Sequence, residues 1–205
     1  MTLLDLNLKE AKWPQLDDKL FGDENPYDWM NACLNILGRE EKYFIYASGY
    51  REAAELVFQN LDSGARHHDI LVYPIVFLFR QSIELLLKDI IMTCYKIVPV
   101  KHGYPKHHSL EKLWNEAKAS LVKIQIDLKG DDVLAFENLL MEFENVDPFS
   151  SAFRYPEDKN KNESLPGLDK LNLTNFMSAA TKMYEFLNGL DVLSSEYWED
   201  IKGSV

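Results

Sequence analysis

A chain of 205 residues is long enough to bury one sizeable core, and a hydrophobic content of 46% excludes a wholly disordered protein. The formal net charge of -11 argues against a general coat for nucleic acid or acidic membranes, because phosphate binding needs excess lysine and arginine. Cys33 and Cys94 have neither CxxC nor zinc spacing, which predicts two reduced thiols in a cytoplasmic protein. The N-terminus lacks the pattern of a signal peptide. The longest apolar run, Ile70 to Phe79, is shorter than the ~20 residues that cross a membrane, so we expect no membrane contact.

The first part of the chain has little apolar periodicity. Residues 1–24 contain Pro14 and Gly22, so we predict an extended N-terminal arm, followed by one helical domain over residues 25–205. Asn25 and Pro26 are typical of an N-cap and a first helical residue. Together with apolar spacing from Trp29 to Leu37, they predict a short helix that ends near Gly38.

Apolar residues at helical spacing predict five further helices. They cover residues 40–61, 68–98, 110–125, 131–145 and 171–199. The second of these is apolar on almost every face, which is typical of the central helix of a bundle, and Pro74 fits its first turn better than its interior. An irregular loop is predicted over residues 147–168. The fold class that follows is all-α: an antiparallel bundle of about five to six helices.

A polar row interrupts the central apolar helix. Tyr73, Phe77, Arg80, Glu84 and Lys88 recur every three or four residues and therefore share one face. Unpaired charge on a buried helix is costly, so the charged members must be paired or reach a wet cleft. Two interpretations stay open: an ion-pair ladder at the edge of the core, or a functional or dimer-lining cleft.

The segment from Lys96 to Lys123 is locally basic, with six lysines against two glutamates. It also contains three histidines: His102, His107 and His108. This asymmetry indicates an anion-facing surface for phosphate or RNA, with Lys106 and Lys112 as candidate binding residues. The alternative is a solvated helix and loop that pair with acidic neighbours.

Arg154 lies in the loop sequence FRYPED. An arginine flanked by Phe153 and Tyr155 can enter a crevice and pair with a carboxylate, and Glu84 is an attractive partner. The alternative is a loop anchor without a ligand.

The sequence contains no specific signal for a metal or a cofactor. His67, His68 and Asp69 are adjacent, and so are His107 and His108, but neighbouring side chains diverge and the spacing of zinc motifs is missing. There is no GxSxG, glycine-rich phosphate loop or dinucleotide fingerprint. We therefore predict neither metal nor cofactor.

Three segments in this order resemble a group of bacterial HEPN-like proteins: YPIVFLFRQSIELLLKDII, HHSLEKLWNEA and DPFSSAFRYPEDKN. The similarity covers roughly residues 40–190. It implies a bundle of about five helices that usually dimerises. Many HEPN proteins are metal-independent ribonucleases in toxin–antitoxin or phage-defence systems, whereas others are non-catalytic and bind partners or nucleotides.

The HEPN ribonucleases carry an arginine followed four to six residues later by a histidine, at the dimer cleft. The arginine stabilises phosphate and the histidine acts as acid or base. None of the five arginines of this chain has a histidine in that window: Arg39, Arg51, Arg66, Arg80 and Arg154.

Two functional hypotheses follow. The first is a non-catalytic, HEPN-like binding or assembly module, dimeric, in a defence, toxin–antitoxin or regulatory system, with a protein partner. The second is a divergent metal-independent ribonuclease, in which Arg80 and Arg154 bind phosphate and His107 or His108 moves protons. RNA or a nucleotide would be its ligand.

Overall fold

The computed structural model describes residues 13–21, 29–34, 42–61, 67–98 and 103–203. The chain divides into two compact units, residues 1–36 and 37–205. The predicted boundary at residue 24 lies outside the described residues, so the division into an arm and a domain stays a prediction.

The described part of the first unit consists of turns and irregular backbone. The predicted helix over residues 25–38 is wrong for residues 29–34, which are not helical, and the rest of it lies outside the described residues. Trp29, Met30 and Leu34 are exposed at 89%, 68% and 86%. A short helix needs an apolar face packed against other elements, and these side chains supply none.

The described part of the second unit contains five helices and no strand. They are α1 (Lys42–Gln59), α2 (His67–Ile97), α3 (Leu110–Lys123), α4 (Asp131–Val146) and α5 (Leu173–Gly203). The predicted all-α bundle is confirmed, and the five predicted helices of this unit agree with the observed bounds within a few residues.

Helix α2 is the centre of the bundle and packs against α1, α3 and α5. Fifteen of its 31 residues are buried, which accounts for its apolar character on almost every face. By length and composition α2 also qualifies as a membrane span, and half of its most apolar window is buried inside the protein. Half of this apolar window is thus used by packing within the protein.

Pro74 lies inside α2, eight residues into the helix, rather than in its first turn. Proline has no N–H to donate to the carbonyl four residues earlier, here that of Ile70. Ile70 is 63% exposed and Pro74 is also exposed, so water can satisfy that carbonyl. The predicted first-turn position is therefore wrong, and the helix begins about two turns before the proline.

The other helices close the core around α2. Trp114 of α3 lies edge-on to Phe136 of α4 at 4.8 Å between ring centroids, and Phe136 stacks on Phe186 of α5 at 4.7 Å. After α4, residues 147–172 form the long irregular connection. Phe153 in this connection is 6% exposed and belongs to the main core, so the loop is anchored beside α2.

Candidate functional site

The polar row of α2 forms a buried ion-pair ladder. Arg80 Nη1 donates to Glu84 Oε2 at 2.9 Å, and Lys88 Nζ donates to Glu84 Oε1 at 2.8 Å. Arg80, Glu84 and Lys88 are 0%, 2% and 3% exposed. The spacing of four residues brings these side chains together on one helix face. The predicted ladder is present, but it lies inside the core rather than at its edge.

The remaining nitrogens of Arg80 join α2 to two distant segments. Arg80 Nε donates to the carbonyl of Asp147 at 3.0 Å and lies 3.5 Å from Asp147 Oδ2. Arg80 Nη2 donates to the carbonyl of His108 at 2.8 Å. Every guanidinium nitrogen is therefore used inside the chain, and no side of Arg80 is open to a phosphate.

Local capping holds both segments in place. Asp147 Oδ1 accepts from the backbone N–H groups of Ser151 and Ala152 at 2.7 and 2.9 Å. Glu144, at the end of α4, accepts from the N–H of Leu110 at 2.8 Å, and Ser109 caps α3 by accepting from Lys112. The start of α3 and the end of α4 are thus fastened together beside Arg80.

Glu84 is the acceptor at the centre of this cluster. Burial opposes its charged form, but hydrogen bonds from Lys88 and His108, with the charges of Lys88 and Arg80, outweigh burial and hold the pKa of Glu84 below its usual value. Glu84 is therefore ionised at neutral pH. We call the five residues joined in this way the Arg80 network: Arg80, Glu84, Lys88, His108 and Asp147.

His108 is the exposed member of the Arg80 network. Its Nδ1 lies 2.8 Å from Glu84 Oε1, while 61% of its side chain is exposed. An ionised carboxylate only accepts, so Nδ1 carries the proton, and Nε2 of a neutral ring has a free lone pair. A carboxylate that orients a histidine in this way is the usual arrangement of a general base.

His107 lies in a different environment from its neighbour. Its Nε2 is 3.5 Å from Glu116 Oε2, and its Nδ1 is buried without a hydrogen-bond partner. Glu116 also accepts from the hydroxyl of Tyr95. Of the two predicted histidines, the structure brings only His108 to Arg80.

Arg154 does not pair with Glu84, and that predicted partner is wrong. Its Nε donates to the carbonyl of Ser150 at 2.6 Å, and its guanidinium carbon lies 5.5 Å from the ring centre of Phe77 and 5.2 Å from that of Tyr155. Arg154 is exposed, and in the described part of the chain no carboxylate pairs with it. Asp147, earlier in the same loop, reaches the α2 ladder instead.

The predicted anion-binding lysines are exposed but lie outside the Arg80 network. Lys106 and Lys112 are both exposed, and no ion pair joins either of them to a described residue. Lys118 of the same segment pairs with Glu137 of α4 at 2.6 Å. The segment is therefore partly neutralised by an acidic neighbour and partly open to solvent.

The described residues include no group of three or more histidine, cysteine, aspartate or glutamate side chains that could hold a metal ion. Two site residues escaped the sequence reasoning. Asp147 joins the Arg80 network, and Asp191 of α5 lines a separate cavity described below. Asp147 stands just after the α4 apolar pattern and before Pro148, a position that signals a helix end but not a partner on α2.

Comparison with known proteins gives one family and no individual relative. No curated protein and no solved structure matches the chain. The family model described as HEPN domain matches residues 68–190, which is more than half of the sequence and includes the whole Arg80 network. The chain belongs to the HEPN domain family.

Proposed function

We propose that this chain is a non-catalytic HEPN module that binds a partner and assembles as a homodimer in a bacterial defence, toxin–antitoxin or regulatory system. The observation that carries the proposal is the complete enclosure of Arg80, whose guanidinium is satisfied within the chain. The two free cysteines, one of them buried, favour a cytoplasmic location.

The enclosure of Arg80 argues against a phosphate-binding role for energetic reasons. A phosphate would have to replace the bonds of Arg80 to Glu84 and to the carbonyls of Asp147 and His108. Breaking a buried pair of this kind costs about 3–5 kcal/mol, whereas one hydrogen bond to a charged group contributes only about 1.5–3 kcal/mol. A network that is already satisfied acts instead as a tie that fixes how α3 and α4 meet α2.

An exposed apolar face beside this tie supports the binding role. Ile70 and Tyr73 of α2 are 63% and 47% exposed, and Tyr155 in the following loop is 56% exposed. Tyr73, Arg154 and Tyr155 line one open cavity together. Aromatic residues with an arginine are the composition favoured at the centres of protein interfaces.

Light scattering on the purified chain, combined with an RNA cleavage assay, tests this proposal. We expect a dimer that Tyr73→Asp weakens, while Val122→Asp, an exposed apolar position on α3, leaves it unchanged. We expect no RNA cleavage with or without a chelator. Cleavage that His108→Ala abolishes would overturn the non-catalytic assignment, and a monomer at all concentrations would overturn the assembly role.

The second candidate is a divergent metal-independent ribonuclease, and the Glu84–His108 pair favours it. His108 presents Nε2 to solvent and is oriented by an ionised carboxylate, so it can take a proton from a ribose hydroxyl. Arg154, rather than the enclosed Arg80, is then the arginine available to a phosphate. His107→Ala is the matched control, because this neighbouring ring contacts Glu116 instead. Equal loss of cleavage in both histidine variants would contradict this role.

A further inference from the structure

A second polar site lies at the C-terminal end of α2, whereas Arg80 lies near the middle of that helix. A cavity of about 990 Å³ opens between the first turn of α1, the last turns of α2 and the C-terminal part of α5. Five acidic residues and one lysine line it: Asp89, Asp191, Glu196, Glu199, Asp200 and Lys96. None of them belongs to the Arg80 network, and four of them follow the end of the family match at residue 190. The cavity thus has an excess of negative charge that the proposed function does not use.

Asp191 is the deepest carboxylate of this cavity. The residue is 6% exposed, and its Oδ1 is buried without a hydrogen-bond partner. Burial raises the pKa of Asp191 to about 6, although the charge of Lys96 acts in the opposite direction. A buried carboxylate oxygen that lacks a donor is costly, and a ligand ammonium in the cavity would supply one.

The other walls fit the body of an organic cation. Phe44 and Ile45 of α1 contribute apolar surface, and Trp198 of α5 contributes an aromatic ring. Lys202 Nζ lies 5.1 Å from the centre of that ring and pairs with Glu199 Oε1 at 3.0 Å, so Glu199 already has a cation within the chain. Methylene groups can pack on such walls while the ammonium groups meet carboxylates.

The carboxylates are spread along α5 rather than gathered at one point. Between Asp191 and Glu196 the helix rises by about 7.5 Å, at ~1.5 Å per residue. One compact ion cannot neutralise acids at that separation, and in the described part of the chain no three ligands converge on a metal. An aliphatic molecule with several ammonium groups can neutralise both of these acids.

We propose that this cavity binds an aliphatic polyamine, with one ammonium group on Asp191 and another on Glu196. The cavity carboxylates would recognise the alkylammonium groups of the ligand. It could come from a free polyamine or from lysine side chains of a protein, and the proposal commits to the free polyamine.

Calorimetric titration of the full chain with spermidine tests the proposal. We expect saturable binding at one site per chain that Asp191→Asn weakens by about tenfold or more, the loss expected for one charge-assisted hydrogen bond. Glu185→Gln is the matched control, because it removes one exposed charge from α5 outside the cavity, and it should change the affinity less than twofold. Circular dichroism would confirm that both variants keep the helical fold.

Two further ligands make the outcome decisive. Blocked tri-lysine has the same charge as spermidine, so tighter binding of the peptide would assign the site to a protein and overturn the polyamine proposal. Magnesium that displaces spermidine at equal ionic strength would reduce the site to a counter-ion surface. Absence of saturable heat, or equal weakening in both variants, would refute the site.

Discussion

Replacement of Arg80 by methionine tests whether the guanidinium is a structural tie. Methionine keeps most of the volume of the stem but leaves the Asp147 carboxylate without the cation that lies 3.5 Å away. It also leaves two backbone carbonyls without their donors. Removing one partner from a buried ion pair costs about 3–5 kcal/mol, so we expect a loss of that size in the free energy of unfolding.

The loss is measurable by urea denaturation followed by circular dichroism at 222 nm. For a domain of this size, each kcal/mol shifts the melting temperature by roughly 2–4 °C, so we expect a melting temperature lower by about 6–20 °C. Arg51→Met is the control, because the Arg51–Glu55 pair is similarly spaced but its side chains are 27% and 23% exposed. That variant should lose less than about 1 kcal/mol.

A double variant separates lost charge compensation from lost packing. Arg80→Met combined with Asp147→Asn removes both the cation and the carboxylate that it leaves unpaired, and the Glu84–Lys88 pair stays intact. We expect the double variant to be more stable than the sum of the single losses predicts. If Arg80→Met instead unfolds at the same urea concentration as the parent while partner binding or RNA cleavage disappears, Arg80 is a functional residue and the tie is refuted.

Three other properties follow from buried or capped groups. The pKa of Asp191 rises from 3.8 to about 6 on folding, so the destabilisation by its buried charge appears between these pH values and is complete above pH 6. Asp191→Asn should therefore raise the free energy of unfolding by about 3 kcal/mol at pH 8 and by far less at pH 4. Equal gains in urea titrations at both pH values would contradict this. The titratable groups beside it are Asp89, Cys94, Lys96, Glu196, Glu199 and Asp200. Burial raises the pKa of the Cys94 thiol to about 12, whereas Cys33 is exposed. A disulfide reagent should therefore modify one thiol quickly in the folded chain and two thiols in urea. Two rapidly modified thiols without urea would argue against this packing. Ser109→Ala should lower the free energy of unfolding by about 1 kcal/mol and Ser109→Asp should not, as thermal melting would measure.

Helices that bury much apolar surface were predictable from sequence. The helix predicted over residues 68–98 differs by one residue at each end from α2. Apolar side chains on nearly every face define such a helix without knowledge of its neighbours. The helix predicted over residues 25–38 rested on the Asn25–Pro26 start signal and on a short apolar pattern from Trp29 to Leu37. A start signal does not stabilise a helix whose described side chains remain exposed.

The Arg80 network was predictable only where it is local. Arg80, Glu84 and Lys88 follow each other at intervals of four, and that spacing fixes their contacts on any helix. Asp147 lies 67 residues from Arg80, and only the packing of α4 against the rest of the bundle brings it there. The same lack of long-range information led to Arg154 as the partner of Glu84. Asp147 and Arg154 belong to the same loop, and the sequence does not show which of the two side chains turns towards α2.

The choice between His107 and His108 shows what finally determines the site. The two rings diverge because they are adjacent, so at most one of them can meet Glu84. The choice depends on the register of the segment before α3, and two hydrogen bonds and one buried proline fix that register. The His108 carbonyl accepts from Arg80, the Leu110 N–H donates to Glu144, and Pro105 is buried. Arg80 thus holds the backbone of the residue whose side chain Glu84 orients. In the motif of the HEPN ribonucleases the histidine follows the arginine by only a few residues, whereas here the buried arginine positions a histidine 28 residues later in the chain.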